Sequence, residues 1–222
     1  MTPKPLSAYI KFRSKPENAQ LFAPVGDYPL ADLSERDAKK RVIATSEKLG
    51  QQFGIVYESQ YNTLVVDPVE SGEGCYPYER VVPTAGNGVV IVPRHGEKYV
   101  LLRQGRHAIR QEQLGFPRGH SELDSNGKTD VSRELSEELR ATPRGDAKLV
   151  GDVTPDSGLT SSVVGIYLVD IDGYDANVGH EGIQDAVELT AEELRAKIAS
   201  GEIEDGFTIA AFTLVEGSVQ RA

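Results

Sequence analysis

The sequence has little cysteine and no long hydrophobic run. Its single cysteine, Cys75, cannot form an intramolecular disulfide, which fits a reducing compartment. No catalytic-cysteine motif surrounds this thiol, so we interpret it as an ordinary packed or surface side chain. No apolar run approaches the roughly 18 residues of a membrane-spanning helix. Residues 1–20 also lack the sustained apolar segment of a secretory signal. We therefore expect a cytoplasmic protein without a membrane span.

Positive charge is also in short supply. The chain has 24 lysines and arginines against 34 aspartates and glutamates, and its formal net charge is −10. This balance argues against non-specific binding to nucleic acid or anionic lipid, because both present negative phosphates. It is compatible with a phosphorylated small molecule if divalent cations lie between the carboxylates and the phosphates. We expect a small-molecule partner, and neither nucleic acid nor membrane.

The chain has no internal repeat, and its 222 residues suit one domain with a small companion. Residues 1–60 predict loops, one short strand at 8–12 and a helix at 34–49. Strand patterns predominate after that. We therefore divide the chain into an N-terminal extension, residues 1–60, and a second domain, residues 61–222.

Runs of β-branched and aliphatic residues mark the strands of the second domain. Residues 88–93 and 98–103 flank a polar turn and predict a hairpin. The remaining strands are predicted at 62–69, 80–83, 148–153, 163–171 and 183–189, and the last two helices at 190–200 and 205–214. With one more helix between the hairpin and the later strands, this order favours an α+β fold or an α/β/α sandwich over a doubly wound parallel sheet.

That additional helix, predicted at residues 129–140, combines an apolar stripe with a dense carboxylate face. At 100° per residue, three aliphatic side chains share one side: Val131, Leu135 and Leu139. The other side carries four carboxylates: Asp130, Glu134, Glu137 and Glu138. Like charges at this spacing repel, and a magnesium ion would offset the repulsion because it prefers hard oxygen ligands. A solvated acidic helix face is the alternative interpretation of such a cluster.

The residues around this helix resemble the Nudix box. That pattern is Gly, five residues, Glu, seven residues, Arg-Glu, an aliphatic residue, any residue, Glu-Glu, any residue and Gly. Gly119 occupies the first position, and residues 133–138 (RELSEE) match the central core in order and spacing. Two positions differ, because Ser125 stands at the first Glu and Arg140 at the last Gly.

The two departures have possible substitutes nearby. Glu122 or Asp124 could supply from the same loop the carboxylate that Ser125 removes. At the helix exit, where glycine is usual for left-handed backbone geometry, we expect Pro143 and Gly145 to end the helix a little later instead.

The resemblance extends beyond the box to roughly residues 61–214, where the sequence resembles the ADP-ribose pyrophosphatase-like branch of the superfamily. Residues 103–106 (RQGR) match the end of its first strand, and residues 201–208 (GEIEDGFT) are similar to the segment before its last helix. Residues 151–158 resemble its proline-containing turn. Gly115 departs from the branch, which has glutamate there.

The resemblance implies a Nudix α/β/α sandwich with a mixed sheet, preceded by the N-terminal extension, and a magnesium or manganese cofactor. The implied metal ligands are three carboxylates and one backbone carbonyl: Glu134, Glu138, Glu137 and the carbonyl of Arg118. Arg133 would orient these glutamates. Arg106 and Arg103 would bind substrate phosphates. Catalytic roles fall to Glu137, beside the metals, and to Glu181 as the base; His180 is a second candidate for the base, and a surface turn is the alternative interpretation of Glu181.

The expected activity is metal-dependent hydrolysis of the diphosphate linkage of a nucleoside diphosphate derivative, with ADP-ribose or a nucleotide sugar favoured. The branch also implies a homodimer formed through the region before Pro83. The three departures leave an alternative open, a catalytically weak Nudix-fold module that binds a nucleotide or mediates protein contacts.

Overall fold

A computed structural model describes residues 2–72, 74–84, 86–121 and 125–219 of the chain. They form two compact units. The first unit comprises Met1–Ala85 together with Asp156–Ser161, and the second comprises Gly86–Pro155 together with Ser162–Ala222. The division lies 25 residues beyond the predicted one at residue 60, because two strands after that residue pair within the first unit.

The first unit is a three-stranded antiparallel sheet with two helices. Its elements are α1 (Lys4–Arg13), a 3-10 turn (Pro16–Phe22), α2 (Arg36–Leu49), β1 (Gly54–Glu58), β2 (Asn62–Ser71) and β3 (Gly74–Pro83), with strand order β1-β2-β3. The strand predicted at residues 8–12 is wrong, since these residues lie in α1. Pro5 favours a helix start, and Leu6 and Tyr9, three residues apart, are both buried in the core of this unit.

A buried polar network fixes this core. The Tyr9 hydroxyl donates to Asp67 Oδ1 at 2.6 Å, and Arg80 donates to both Asp67 oxygens, at 2.5 Å from Nε and 3.3 Å from Nη2. Burial and the neighbouring carboxylate raise the pKa of Tyr9, which keeps it protonated and donating. The charge of Asp67 is therefore compensated on both oxygens, as a buried carboxylate requires.

We predict that Arg80→Met destabilises the first unit by about 3–5 kcal/mol, because it leaves a buried carboxylate without its cation. Arg41→Met is the matched control. Arg41 pairs with Glu70 at 3.2 Å on the surface, and loss of an exposed pair costs about 1 kcal/mol or less. Denaturant unfolding of both variants checks the prediction, and equal small losses would contradict it.

The second unit contains a seven-stranded mixed sheet and three helices. Its elements are β4 (Gly88–His95), β5 (Lys98–Arg106), β6 (Gln111–Gly115), β7 (Arg118–His120), α3 (Gly127–Leu139), β8 (Lys148–Val153), β9 (Val164–Asp170), a 3-10 turn (His180–Gly182), β10 (Ile183–Leu189), α4 (Ala191–Ala199) and α5 (Gly206–Val219). The central order is β10-β5-β4-β9-β8. β4 and β9 are parallel, and the other pairs are antiparallel.

Alternating side chains of the central strands divide the core of this unit into two layers. Val89 and Ile91 pack with α3 on one face, whereas Val90 and Val92 pack with α4 and α5 on the other. Both faces of β4 are therefore buried, which explains its uninterrupted aliphatic sequence. The predicted α/β/α sandwich is confirmed.

The two strands of the hairpin pair only near their turn, through Arg94–Tyr99 and His95–Lys98. Beyond that, β4 pairs with β7 and β5 pairs with β6. The short strands β6 and β7 thus fill the space between β4 and β5, which diverge beyond their turn. β7 carries Gly119, so this divergence places the box glycine inside the sheet layer. In the described part of the chain, no helix has the length and apolar character needed to cross a membrane.

Candidate active site

The helix α3 presents the carboxylates, and both of its ends are defined locally. At its start, the Asn126 side chain accepts a hydrogen bond from the Thr129 N–H at 3.1 Å. At its end, Arg140 takes the left-handed conformation, with φ 47° and ψ 31°. The helix therefore stops where the Nudix pattern has glycine, and the expectation that it continues to Pro143 or Gly145 is wrong.

Arg140 holds this unfavourable backbone conformation with its side chain. The guanidinium donates to Asp175 Oδ2 at 2.5 Å and to Asn177 Oδ1 at 2.9 Å. The Asn177 amide in turn donates to the carbonyl of Glu137 at 2.7 Å. These contacts stabilise a turn that glycine would adopt without steric cost, so this departure leaves the course of the chain unchanged.

Three of the four carboxylates on α3 are buried. The exposed fraction is 6% for Glu134, 1% for Glu138 and 1% for Asp130, and Leu135 on the opposite side is fully buried as well. A solvated acidic face is thereby excluded as the explanation of the cluster. Carboxylates are rarely buried unless they are paired or ligate a metal, so their surroundings indicate their role.

Glu134 packs directly on the backbone of β7. A Cβ atom added to Gly119 would overlap the Glu134 carboxylate, so only glycine fits at this position. The requirement comes from the close approach of the carboxylate. The first glycine of the box pattern therefore has a direct physical explanation in this chain.

Glu138 lies beside Glu134 and has one uncompensated oxygen. Its Oε2 accepts the Arg118 backbone N–H at 3.2 Å, whereas Oε1 is buried without a hydrogen-bond partner among the described residues. Burial, together with the charge of Glu134, raises the pKa of Glu138 to about 8. Burial also raises the pKa of Glu134. The pair thus has an electrostatic need for a cation.

Arg133 contacts three groups of the site with one guanidinium. It lies 2.8 Å from Glu134 Oε1 and 3.0 Å from Glu137 Oε2, and it donates to the His120 carbonyl at 2.7 Å. These contacts match the orienting role that the resemblance implies. Glu137 is the most exposed of the three glutamates, so its carboxylate remains accessible from solvent.

Ser125 and Gly115, the other two departures, both face carboxylates. The Ser125 hydroxyl donates to the buried Asp130 Oδ2 at 2.8 Å. A Cβ atom on Gly115 would lie 2.9 Å from Thr208 Oγ1 and 3.3 Å from Asp205 Oδ2, so these two residues at the start of α5 occupy the space that a side chain would need. Glu122 and Asp124, the suggested substitutes for the missing glutamate, lie outside the described residues.

Asp205 and Thr208 anchor the start of α5 to the strands of the site. Asp205 Oδ1 accepts from Arg118 Nη1 at 2.7 Å, and its Oδ2 accepts from the Thr208 hydroxyl at 2.7 Å. Thr208 Oγ1 also accepts the Phe116 N–H at 2.9 Å. Burial works to raise the pKa of Asp205, but Arg118 and Thr208 hold it below its usual value. Asp205 received no site role from the sequence, although its position in residues 201–208, which resemble the branch, was the available signal.

The structure separates the two predicted phosphate ligands on β5. Arg106 lies near Glu138, Glu181 and Arg118, and burial followed by the Arg118 charge lowers its pKa. Its Nε is buried without a hydrogen-bond partner among the described residues. Arg103 lies three residues before Arg106 on this strand, so its side chain points to the opposite face of the sheet, the face of Leu101 and away from α3. Only Arg106 is brought to the carboxylates.

Glu181, the predicted base, lies in a strained loop before β10. Its φ of 45° and ψ of 28° place a non-glycine residue in the left-handed region. Gln104 Nε2 donates to its backbone carbonyl at 2.9 Å. The charge of Glu181 contributes to the raised pKa of both Glu134 and Glu138, so these carboxylates share one electrostatic environment. Non-glycine residues in such backbone regions are frequent at functional sites.

The residues present fit a magnesium or manganese ion. Within the ranges that the structure describes, no three His, Cys, Asp or Glu side chains form a preassembled ligand group. Magnesium, however, is commonly held by one or two carboxylates, with water and substrate phosphates completing its shell. Glu134 and Glu138 supply such a pair, and the unpartnered Glu138 Oε1 is a hard oxygen donor available for it.

We predict that Gly119→Ala destabilises the second unit by about 1–3 kcal/mol, because the added methyl group must displace the Glu134 carboxylate. Gly173→Ala is the control, since a Cβ there meets no atom within 4 Å, and we expect a change below about 0.5 kcal/mol. Equilibrium unfolding of both variants measures the difference, and indistinguishable stabilities would refute the close packing of Glu134 on β7.

Comparisons with known proteins support the fold and leave the activity open. No protein family model matches the sequence, and no curated protein matches it. The structure is similar to a solved structure described as "Crystal structure of ADP compounds hydrolase", with a TM-score of 0.64, over 75% of this chain and 90% of that chain, at 20% sequence identity. Identity at this level establishes the fold alone. The second unit, with its α/β/α sandwich and its buried glutamates, therefore has the Nudix fold that the sequence resemblance predicts.

Proposed function

We propose that this chain is a Nudix hydrolase that cleaves the diphosphate linkage of a nucleoside diphosphate derivative, with ADP-ribose or a nucleotide sugar as the favoured substrate. The observation that carries the proposal is the buried pair Glu134 and Glu138, packed on Gly119 and β7. The similar solved structure is described as an ADP compounds hydrolase, which supports the substrate class.

Magnesium or manganese is part of the proposal. Glu134 and Glu138 would hold it, with Glu137 and the Arg118 carbonyl as further ligands by resemblance. When bound, such an ion neutralises diphosphate charge and lowers the pKa of a coordinated water. The protein's own contribution is to hold these carboxylates in place through Arg133 and the Arg118 N–H, whose contacts also counteract the rise in their pKa.

The remaining chemistry falls to Glu181 and Arg106. A water oxygen forms a bond to one phosphorus, the bridging P–O bond breaks, and the bridging oxygen leaves with the other phosphoryl group. The Glu181 carboxylate accepts the proton that the attacking water loses. The Arg106 guanidinium binds phosphate oxygens, since its buried Nε has no other described partner. The products are two phosphorylated fragments.

The competing proposal is a catalytically weak binding module. The geometry at Arg140 and Gly115, two of the departures from the family pattern, weakens its support. Arg140 adopts the left-handed conformation that glycine would have, and Asp205 with Thr208 fills the space beside Gly115. Ser125 donates to Asp130 and is the remaining observation in favour of the module. Binding of ADP-ribose without product release would establish the module and exclude the hydrolase.

We predict that the full chain with magnesium hydrolyses at least one member of a panel of nucleoside diphosphate derivatives that includes ADP-ribose and nucleotide sugars. Glu138→Gln should lower kcat by at least about 100-fold, because it removes a major electrostatic contributor. Glu192→Gln, at an exposed glutamate of α4, is the control and should leave kcat unchanged. Product release followed by chromatography measures these rates, and an unchanged kcat in Glu138→Gln would reject the assignment.

The proposal also includes a homodimer, by resemblance, and a cytoplasmic location, which the single cysteine favours. The first unit has a hydrophobic core of its own, so the proposed pairing would use its surface. We expect light scattering at micromolar concentration to give the mass of a dimer, about twice the 24.1 kDa of one chain. A monomer mass at that concentration would rule out the dimer.

A further inference from the structure

We infer that Gln104 is a positioning residue for the reaction, because its side-chain amide holds the loop of Glu181 in the strained conformation that directs this carboxylate toward Glu134 and Glu138. The inference rests on the proposed function. It assigns a role to a residue that lies within the matched segment 103–106 but received none from the resemblance.

Gln104 is a buried amide in a defined orientation. It is 3% exposed and lies in β5 opposite Ile183 of β10. Its Nε2 donates to the Glu181 carbonyl at 2.9 Å. The opposite amide orientation would place two oxygens against each other, so the hydrogen bond fixes the assignment of the nitrogen. The amide group of Gln104 therefore donates its hydrogen bond to the Glu181 peptide in the loop.

The loop that Gln104 contacts has positive φ values at three residues, one of which is not glycine. Gly179, Glu181 and Gly182 have φ values of 89°, 45° and 81°. Glycine adopts such values freely, but glutamate does not. A Cβ on Gly182 would lie 3.2 Å from the Gly105 carbonyl, so the loop also runs close against the β5 backbone. A non-glycine residue keeps such a conformation only where its surroundings enforce it.

The hydrogen bond from Gln104 acts on the strained peptide itself. It ends on the carbonyl of Glu181, the residue with the unfavourable φ. Without this hydrogen bond, Glu181 can relax to a negative φ, and its side chain then points in a different direction. The carboxylate is now near enough for its charge to contribute to the raised pKa of Glu134 and Glu138, after the larger effect of burial. Relaxation would remove it from the reacting water.

Kinetics can distinguish the role of Gln104 from that of the neighbouring Arg106. Gln104 and Arg106 lie two residues apart on one face of β5, and Arg106 is the proposed phosphate ligand. Loss of the Gln104 amide should leave the Arg106 contact with the diphosphate in place. The expected effect is therefore a lower kcat with little change in KM.

The test uses the full chain and Gln104→Met, which keeps the length of the side chain and removes both polar atoms. We expect kcat to fall about 10- to 100-fold, with KM changed less than about threefold. Gln113→Met is the matched control, because Gln113 is the cross-strand neighbour of Gln104 on β6 and, among the described residues, its side chain has no hydrogen bond to Glu181 or to the buried glutamates. Its kcat should remain that of the native chain.

A double-mutant cycle separates positioning from a general structural effect. If Gln104 acts through Glu181, adding Gln104→Met to Glu181→Gln lowers kcat by less than about twofold beyond the single Glu181→Gln variant. Independent effects would multiply, and a double variant slower by the full factor of Gln104→Met would overturn the inference. An unchanged kcat in Gln104→Met would overturn it as well.

Amide hydrogen exchange of residues 179–183 tests the physical basis. The loop should exchange faster in Gln104→Met than in Gln113→Met, and equal exchange would overturn the inference. Should Gln104→Met not fold, Gln104→Asn serves instead, since it keeps an amide that is too short to reach the loop. If the native chain releases no product, the proposed function fails and the catalytic role of Gln104 fails with it; exchange alone then decides whether Gln104 holds the loop.

Discussion

The burial of two like-charged carboxylates side by side is the constraint on which the second unit depends. Glu134 and Glu138 lie almost entirely out of water, and the charge of Glu134 adds to the cost of ionising Glu138. The chain answers this cost with one guanidinium, Arg133, and one backbone N–H, that of Arg118. One oxygen of Glu138 remains without a partner among the described residues. The proposed divalent cation would resolve this imbalance with the ligand chemistry that the residues offer.

The sheet and the last helix make this burial possible. The apolar stripe of α3 packs on Val89 and Ile91 and fixes the rotation of the helix. The divergence of β4 and β5 admits β7, whose Gly119 lets the Glu134 carboxylate approach the backbone. Asp205 then holds the Arg118 side chain, so the peptide that bonds Glu138 is fixed from the side of α5. Hydrophobic packing sets the layers, and a few charge-assisted hydrogen bonds set the positions within them.

Patterns carried by neighbouring residues were predictable from the sequence. The hairpin and the amphipathic α3 both depend on local spacing, and each is found in the structure. The segment at residues 8–12 is predicted wrongly, because burial of Leu6 and Tyr9 against the first sheet outweighs a weak strand pattern. Contacts between distant positions gave no local signal. Gln104 and Glu181 are 77 residues apart, and Arg118 and Asp205 are 87 apart, so spacing alone does not connect them.

The central claim is that the buried carboxylate pair binds a divalent cation together with a diphosphate. Electron paramagnetic resonance of free Mn²⁺, titrated in the presence of the non-hydrolysable diphosphate α,β-methylene-ADP, tests it most directly. The native chain should remove Mn²⁺ from solution as a ternary complex, and Glu138→Gln should bind it at least about tenfold more weakly. Equal Mn²⁺ binding by both chains, or none by the native chain, would contradict the account.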